Sequence, residues 1–339
     1  MEPKENCPVS DILRIYSGSS HPELAQEIAD YLGCPLCCSE TQRFSNDNLF
    51  VHLGESVRGK EVVIIQSFSP DVSDNILELL MMVDAAHSAS AKTVHAVIPY
   101  YSYARSDKKD QPRISIAGRL IADLLVTAGV SHVMTLELHS PQVHGFFRVP
   151  TDHLTAHAAF VRYFRDRDLS NSVILAPDIG HAKRAAKLAR ALGVDVAAGD
   201  KERLTDDRVR VAGIIGTVEN KDVIIFDDEI ATGGSIVAII ELLRDKGVRN
   251  ITLACTHGVF SGNAIQRLSA IPEIKEIVTT NSVPIPAAKR LPHMTILSVA
   301  PVFGEAIRRN VLGQSVGALF AFWPDPDEAT AFQPPFKDW

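Results

Sequence analysis

DVIIFDDEIATGGS, Asp222–Ser235, is the stretch on which the reading of this chain turns. Val223–Phe226 are four apolar residues in a row, the pattern of a strand buried on both faces. Asp227 and Asp228 follow at its C-terminal end, and Ala231-Thr232-Gly233-Gly234-Ser235 opens the next helix. In open α/β sheets, ligands bind outside the carboxyl ends of the strands. Glycines let the backbone wrap closely around a phosphate, and a helix N-terminus adds positive potential. Thr232 and Ser235 carry hydroxyls that can donate to the same phosphate. Two neighbouring carboxylates repel each other, which a ligand-free turn has no reason to keep. As acceptors, however, they suit the vicinal hydroxyls of a sugar. Ala231, Thr232, Gly233, Gly234 and Ser235 with Asp227 and Asp228 are therefore the candidate site for a ribose 5-phosphate unit.

Outward from this stretch, short apolar runs alternate with helical patterns. Strands are expected at Leu13–Tyr16, Glu61–Gln66, Thr93–Ile98 and His132–Leu136, then at Val173–Ala176, Val194–Ala197, Val223–Phe226, Ile251–Cys255 and Ile277–Thr280. Helices are expected at Pro22–Leu32 (capped near Ser20 or His21 and stopped by Gly33), Asp74–Ala89, Ile116–Gly129, His157–Arg167, Ala182–Leu192 and Ser235–Lys246. Strand and helix taking turns implies parallel sheets flanked by helices. The rhythm runs twice, and 339 residues suit two domains. The expected division is residues 1–154, with 305–339 packing back on them, and residues 155–304. The tail from Trp323 is rich in Pro and Asp and is expected to be disordered or draped over the surface.

Composition narrows the function. The net charge of -7 disfavours nucleic acid as the main partner. No apolar run reaches the roughly 18–20 residues that span a bilayer, and the polar start Met1–Ser10 is no signal peptide. No membrane role is expected, and the cytoplasm is the expected location. Five cysteines are an odd number, which argues against a disulfide framework. Cys34, Cys37 and Cys38 form a C-x-x-C-C cluster with no second ligand pair nearby, so small apolar residues at a helix-to-strand turn are expected rather than zinc ligands.

Other strand ends carry polar groups. Tyr103–Asp110 (YARSDKKD) is a charged loop after Thr93–Ile98, where Arg105 can grip phosphates as a planar fork. Glu137 and His139 flank Leu138 after His132–Leu136. On an extended segment, side chains one residue apart project the same way. Asp178 follows Val173–Ala176. Lys201-Glu202-Arg203 lies in a polar stretch that reads as a mobile loop.

The stretches SGSSHPELAQEIADYLG, RFSNDN, ESVRGKEVVIIQS, VIPYYSYARSDKKD, ELHSPQVHGFF, APDIGHAKRA, GDKERL, THGVFSGNAIQRL and SVAPVFGEAIRRN, with the phosphate loop, resemble the ribose-phosphate diphosphokinase (PRPP synthetase) family in order and spacing from about Leu13 to Phe320. The resemblance implies two tandem domains of the type I phosphoribosyltransferase fold, with the working phosphate loop in the second. It implies transfer of the diphosphoryl group of ATP to C1 of ribose 5-phosphate, with Mg2+. Lys201, Arg203 and His139 are implied as catalytic. Phe44, Asn46, Asn48, Arg105, Ser106, Asp107, Asp110 and His139 are implied at ATP, with Phe44 and Asn46 holding adenine from a neighbouring subunit. Glu137, His139 and Asp178 are implied at the metal. Self-association as a dimer or hexamer is implied as well.

The chain departs from the family pattern at Asn48, Ser106, Glu137 and Ala231, at His144 and His153 where allosteric nucleotide contacts are expected, and at Gly317 and Ala318. It keeps Asp152, Ser56 and Arg58. Nucleotide choice and regulation by ADP and phosphate therefore stay open. A non-catalytic regulatory subunit, a phosphoribosyltransferase and a homologue acting on another nucleotide or sugar phosphate are the alternatives.

Overall fold

The computed structural model describes residues 11–205 and 208–320; of residues 201–205, 208–212, 318 and 320 it describes the backbone course alone. The described chain forms two compact units. The first is drawn from Met1–Thr155, Ser282–Pro284 and Ser298–Trp339, the second from Ala156–Asn281 and Ile285–Leu297. The Pro- and Asp-rich tail falls outside the described residues.

The first unit contains β1 (Leu13–Ser17), α1 (Pro22–Leu32), β2 (Leu36–Cys37), β3 (Ser39–Arg43), β4 (Leu49–Leu53), β5 (Glu61–Ile65), α2 (Val72–Ser88), β6 (Thr93–Ile98), α3 (Ala117–Ala128), β7 (His132–Leu136) and β8 (Thr151–Leu154). Its main sheet has the order β2-β1-β5-β6-β7-β8, parallel throughout. The order reverses between β1 and β5, so the loops after these two strands diverge at one edge of the sheet. Ile64, Phe68, Leu79, Met82, Val83, Ala122 and Leu125 fill the core under α2 and α3. Burying each such side chain stabilises the fold by about 1.5–3 kcal/mol.

Local signals set the helix ends. Pro22 begins α1, the His21 ring accepts from the Leu24 N–H, and Gly33 closes the helix at φ 67. The helix expected from Asp74 begins two residues earlier, at Val72, because Asp74 sits within the first turn and pairs with Arg43 instead of capping. β3 and β4, which the sequence reading did not predict, form a separate antiparallel hairpin. Near the other end of the chain, α8 (Ala300–Val311) packs against α1; a Cβ at Gly304 would lie 2.3 Å from the Tyr31 ring, so only glycine allows this approach. Cys34, expected as a plain apolar residue, is disulfide-bonded.

The second unit contains α4 (His157–Phe164), β9 (Ser172–Ala176), α5 (Ala182–Leu192), β10 (Asp195–Thr205), β11 (Arg208–Ile215), β12 (Asp222–Ile230), α6 (Gly234–Asp245), β13 (Asn250–Gly258), α7 (Ala264–Ser269), β14 (Ile274–Thr280) and β15 (Met294–Leu297). Its sheet order is β11-β10-β9-β12-β13-β14-β15, parallel except for the β10–β11 pair. The expected mobile loop around Lys201–Arg203 is instead the outer half of a long hairpin. Lys201 pairs with Val211 and Arg203 with Val209. The alternation Arg208-Val-Arg-Val has the period of a strand, which outweighs the polarity of the segment. The side chains of Lys201 and Arg203 lie outside the described residues.

A polar ladder crosses the N-terminal ends of the first unit's strands. Lys92 pairs with Glu61 at 2.8 Å, Glu61 meets His95 Nε2 at 3.2 Å, His95 Nδ1 meets His132 Nδ1 at 3.1 Å, and His132 Nε2 meets Asp152 at 3.1 Å. Asn310 on α8 donates to Asp152 at 3.0 Å. Burial and the neighbouring His132 hold the pKa of His95 below the ordinary histidine range, outweighing the pull of Glu61. The unfolded chain, with a histidine pKa near 6.5, then binds a proton that the folded state refuses. Stability supplied by this site is complete above about pH 6.5 and declines as pH falls below it. Urea unfolding between about pH 6.5 and 5 should show this slope, and His95→Gln should flatten it while leaving the carboxylate-driven loss below about pH 4.5 in place.

Candidate active site

The switch in strand order of the second unit lies between β9 and β12. β12 pairs with β9 as far as Ile225 and Leu175, then leaves it. On its other side it stays paired with β13 to Ile230 and Gly258. The strand expected to end at Phe226 therefore runs through both carboxylates, because β13 continues to supply backbone partners after β9 has stopped. Asp227 and Asp228 are thus fixed on a strand at the place where the sheet parts.

The loop after β9 closes on them. Asp178 accepts from the His181 N–H at 3.2 Å and from His181 Nδ1 at 2.8 Å. The other ring nitrogen of His181 lies 3.1 Å from Asp228 and 3.9 Å from Asp227. Arg184, one turn further on α5, reaches Asp228 at 3.7 Å. Burial opposes charge on His181, but the contacts to Asp178 and Asp228 win, and its pKa is raised to about 10. It is an imidazolium at neutral pH, gathering three carboxylates around one positive charge. Burial and the adjoining Asp228 push the Asp227 carboxyl up. His181 and Arg184 carry no assignment from the sequence reading. The signal available was a histidine three residues after Asp178, a spacing that brings both to the same side of a helical turn.

The glycine loop follows. Gly233 is buried at φ 74, a left-handed conformation that strains any residue with a Cβ, and it begins α6, which starts at Gly234. Ile230 O accepts from Val259 N and Phe260 N, and Ala231 O accepts from Ser261 N at 2.9 Å. The loop is therefore pinned from behind while Thr232, Gly234 and Ser235 face solvent. This is the geometry of an open anion cradle at a helix N-terminus.

The first unit holds the remaining candidates. Glu137 is not extended as expected. Its φ of 40 ends β7, so the argument that Glu137 and His139 project alike does not hold. Its N–H is bound to Leu154 O at 3.0 Å, the Thr155 hydroxyl donates to its carboxylate, and the next N–H, of Leu138, donates to His153 Nε2 at 2.9 Å. A strained backbone held by three partners is typical of functional sites. His153, placed by sequence among expected allosteric contacts, here props the loop that carries His139. Ser106 also has a structural task, since its hydroxyl donates to Ser115 O at 3.2 Å and accepts from Ala117 N at 3.1 Å at the start of α3. Asp107 accepts from Gln142. Arg105 and Asp110 are exposed. Phe44, Asn46 and Asn48 stand exposed at the tip of the β3–β4 hairpin, where Phe44 N donates to Asn48 O and Asn48 N to the Asn46 side chain.

Residues 13–129 match the model of the N-terminal domain of ribose phosphate pyrophosphokinase, and residues 210–321 that of the phosphoribosyl synthetase-associated domain. A ribose-phosphate pyrophosphokinase of Deinococcus radiodurans is 51% identical over 313 residues, 91% of this chain and 98% of that one. The chain belongs to the ribose-phosphate pyrophosphokinase family. A relative of the same name from Caldanaerobacter subterraneus is 44% identical over 309 residues, covering 91% of this chain and 98% of its own. The crystal structure of phosphoribosylpyrophosphate synthetase from Mycobacterium smegmatis superposes with a TM-score of 0.83 at 38% identity, covering 89% of this chain and 99% of that one. No helix among the described residues is long and apolar enough to cross a membrane.

His181 tests the site's electrostatics. With a folded pKa raised above the unfolded value, its contribution is complete below about pH 6.5 and is lost as pH rises through about 10. His181→Gln removes the cation that lies between the carboxylates and leaves Arg184 at Asp228. It should cost about 3 kcal/mol at neutral pH, read as a lower urea midpoint. The gap to the native chain should narrow towards alkaline pH.

Proposed function

We propose that this chain is a ribose-phosphate diphosphokinase, transferring the diphosphoryl group of ATP to the C1 hydroxyl of ribose 5-phosphate to give 5-phosphoribosyl 1-diphosphate and AMP. The observation that carries the reading is the open glycine cradle set directly after Asp227 and Asp228 where the sheet parts, in a chain of this family. The cradle at Ala231–Ser235 takes the 5-phosphate. Its exposed N-terminal turn and two hydroxyls suit a dianion. Asp227 faces the ring hydroxyls as acceptor, and Asp228, engaged by His181 and Arg184, fixes its position.

The C1 oxygen attacks the β-phosphorus, the bond from that phosphorus to the oxygen bridging it to the α-phosphorus breaks, AMP leaves with that oxygen, and the hydroxyl proton passes to water. Such transfers depend on alignment and on neutralising charge. Lys201 and Arg203, on β10, are the residues for the developing charge. Phe44, Asn46 and Asn48 receive the adenine, and Arg105, Ser106, Asp107, Asp110 and His139 lie with the rest of ATP. Because the hydroxyl of Ser106 is committed to the start of α3, its part is to shape the loop rather than to touch phosphate.

The donor set fits magnesium. Glu137 and Asp178 offer hard oxygens, and Asp178 is already oriented by His181, as outer partners orient metal ligands. Glu137, His139 and Asp178 would hold the ion, which when bound offsets phosphate charge. A cytoplasmic dimer or hexamer completes the proposal.

Purified protein with ATP, magnesium and ribose 5-phosphate, followed by phosphorus NMR, should yield AMP and 5-phosphoribosyl 1-diphosphate in equal amounts. Lys201→Ala should lower the rate by at least about a hundredfold. No turnover with ATP, GTP or CTP would sink the proposal.

A further inference from the structure

The β3–β4 hairpin pairs with no strand of the six-stranded sheet. Leu53 at its base and Val51, directly opposite Thr41, pack on the core of the first unit, and the Ser39 hydroxyl donates to Ser17 O at 2.8 Å. Its far end, which carries Phe44 and Asn46, needs another attachment. Ser39, Thr41 and Arg43 alternate along β3 on one face. Arg43 meets Asp74 of α2, but this pair is exposed, and such pairs contribute little. Thr41 meets Glu78.

Glu78 lies on α2 and is 2% exposed. A buried carboxylate is costly unless donors surround it, and here they do. Ser19 N donates at 3.1 and 3.2 Å, the Ser19 hydroxyl at 2.5 Å, the Gln66 amide at 2.6 Å and the Thr41 hydroxyl at 2.6 Å. Gln66 in turn accepts from Ser20 N at 3.0 Å and donates to Asn75 O at 3.2 Å. One carboxylate thus ties together α2, the turn after β1, the residue after β5 and the hairpin. Three of these belong to the six-stranded sheet and a helix packed on it; the hairpin is a sheet of its own.

We infer that Glu78, through Thr41, is a positioning residue for nucleotide binding: it fixes the angle at which the hairpin presents Phe44 and Asn46. The inference rests on the reading of that tip as the adenine contact. Neither residue touches a reacting atom, so loss of the tether should act on nucleotide affinity and spare turnover.

Thr41→Val is the decisive variant. It removes the hydroxyl, keeps the shape and favours the strand, so the hairpin itself is preserved. Steady-state rates of AMP formation, with ATP and ribose 5-phosphate varied in turn, should show KM for ATP raised at least about tenfold, the effect of one lost hydrogen bond to a charged group. kcat and KM for ribose 5-phosphate should stay within about twofold. Thr41→Ser, which restores the hydroxyl, should recover the native KM. Phe44→Ala, measured alongside, should also raise KM for ATP. If Phe44→Ala raises it and Thr41→Val does not, the tether is overturned and the adenine reading stands. If neither moves it, the adenine reading falls and takes the tether with it. A Thr41→Val variant that loses kcat and both affinities together has lost structure in general, and that too overturns the inference.

Discussion

The second unit depends on one event in its sheet, the separation of β12 from β9 after Ile225 and Leu175 while its pairing with β13 continues. A strand that stopped on both sides would leave Asp227 and Asp228 on a loose loop. A strand paired on both sides would bury them in the sheet without access. Pairing on one side gives two carboxylates rigid backbone and an open flank. The loop after β9 fills part of that flank with His181, whose charge makes the concentration of acids tolerable. The glycine loop follows at once, since β12 ends at Ile230 and Ala231 opens the turn into α6.

The same electrostatic problem has two solutions in the molecule. In the second unit, three acids share an imidazolium with Arg184 nearby, at strand C-termini where a ligand can enter. In the first unit, Glu61, His95, His132 and Asp152 follow one another as acid, base, base, acid across four parallel strands, at the N-terminal ends of that unit's own sheet. Open α/β sheets bind ligands at the carboxyl ends of strands, so the ladder at the amino ends serves stability. Equally polar clusters are told apart by which end of the strands they occupy, a distinction composition cannot make.

Much of this was legible in the sequence. Asp222–Ser235 announced strand, acids and glycine loop in order, and Gly33 and Gly129 marked helix ends that the structure places at positive φ. What was not legible follows from physics that single segments do not carry. β3 and β4 are short, polar and exposed, so their hairpin shows no buried period and exists through its partner strand and α2. β10 extends past its apolar start because β11 pairs with it, and a polar composition there resembles a loop. Glu137 reads as extended in sequence, yet its φ of 40 is imposed by Leu154, Thr155 and His153, residues 16–18 positions later. The family resemblance reached site residues that residue chemistry alone left undecided, such as Phe44 and Asn46, but it was silent on Glu78 and His181, which act through other side chains.

That silence has a physical basis. Residues that touch a ligand sit in short motifs, because a loop delivers several contacts at once. Residues that hold such loops are drawn from elsewhere in the chain. Glu78 lies 59 positions from Ser19 and 37 from Thr41, while His153 lies 15 from Leu138. Each satisfies a buried polar group that would otherwise cost more than the contact contributes. The exposed tip of the hairpin can therefore stay polar and adaptable, since the definition of its angle has been moved inward to a carboxylate that water does not reach.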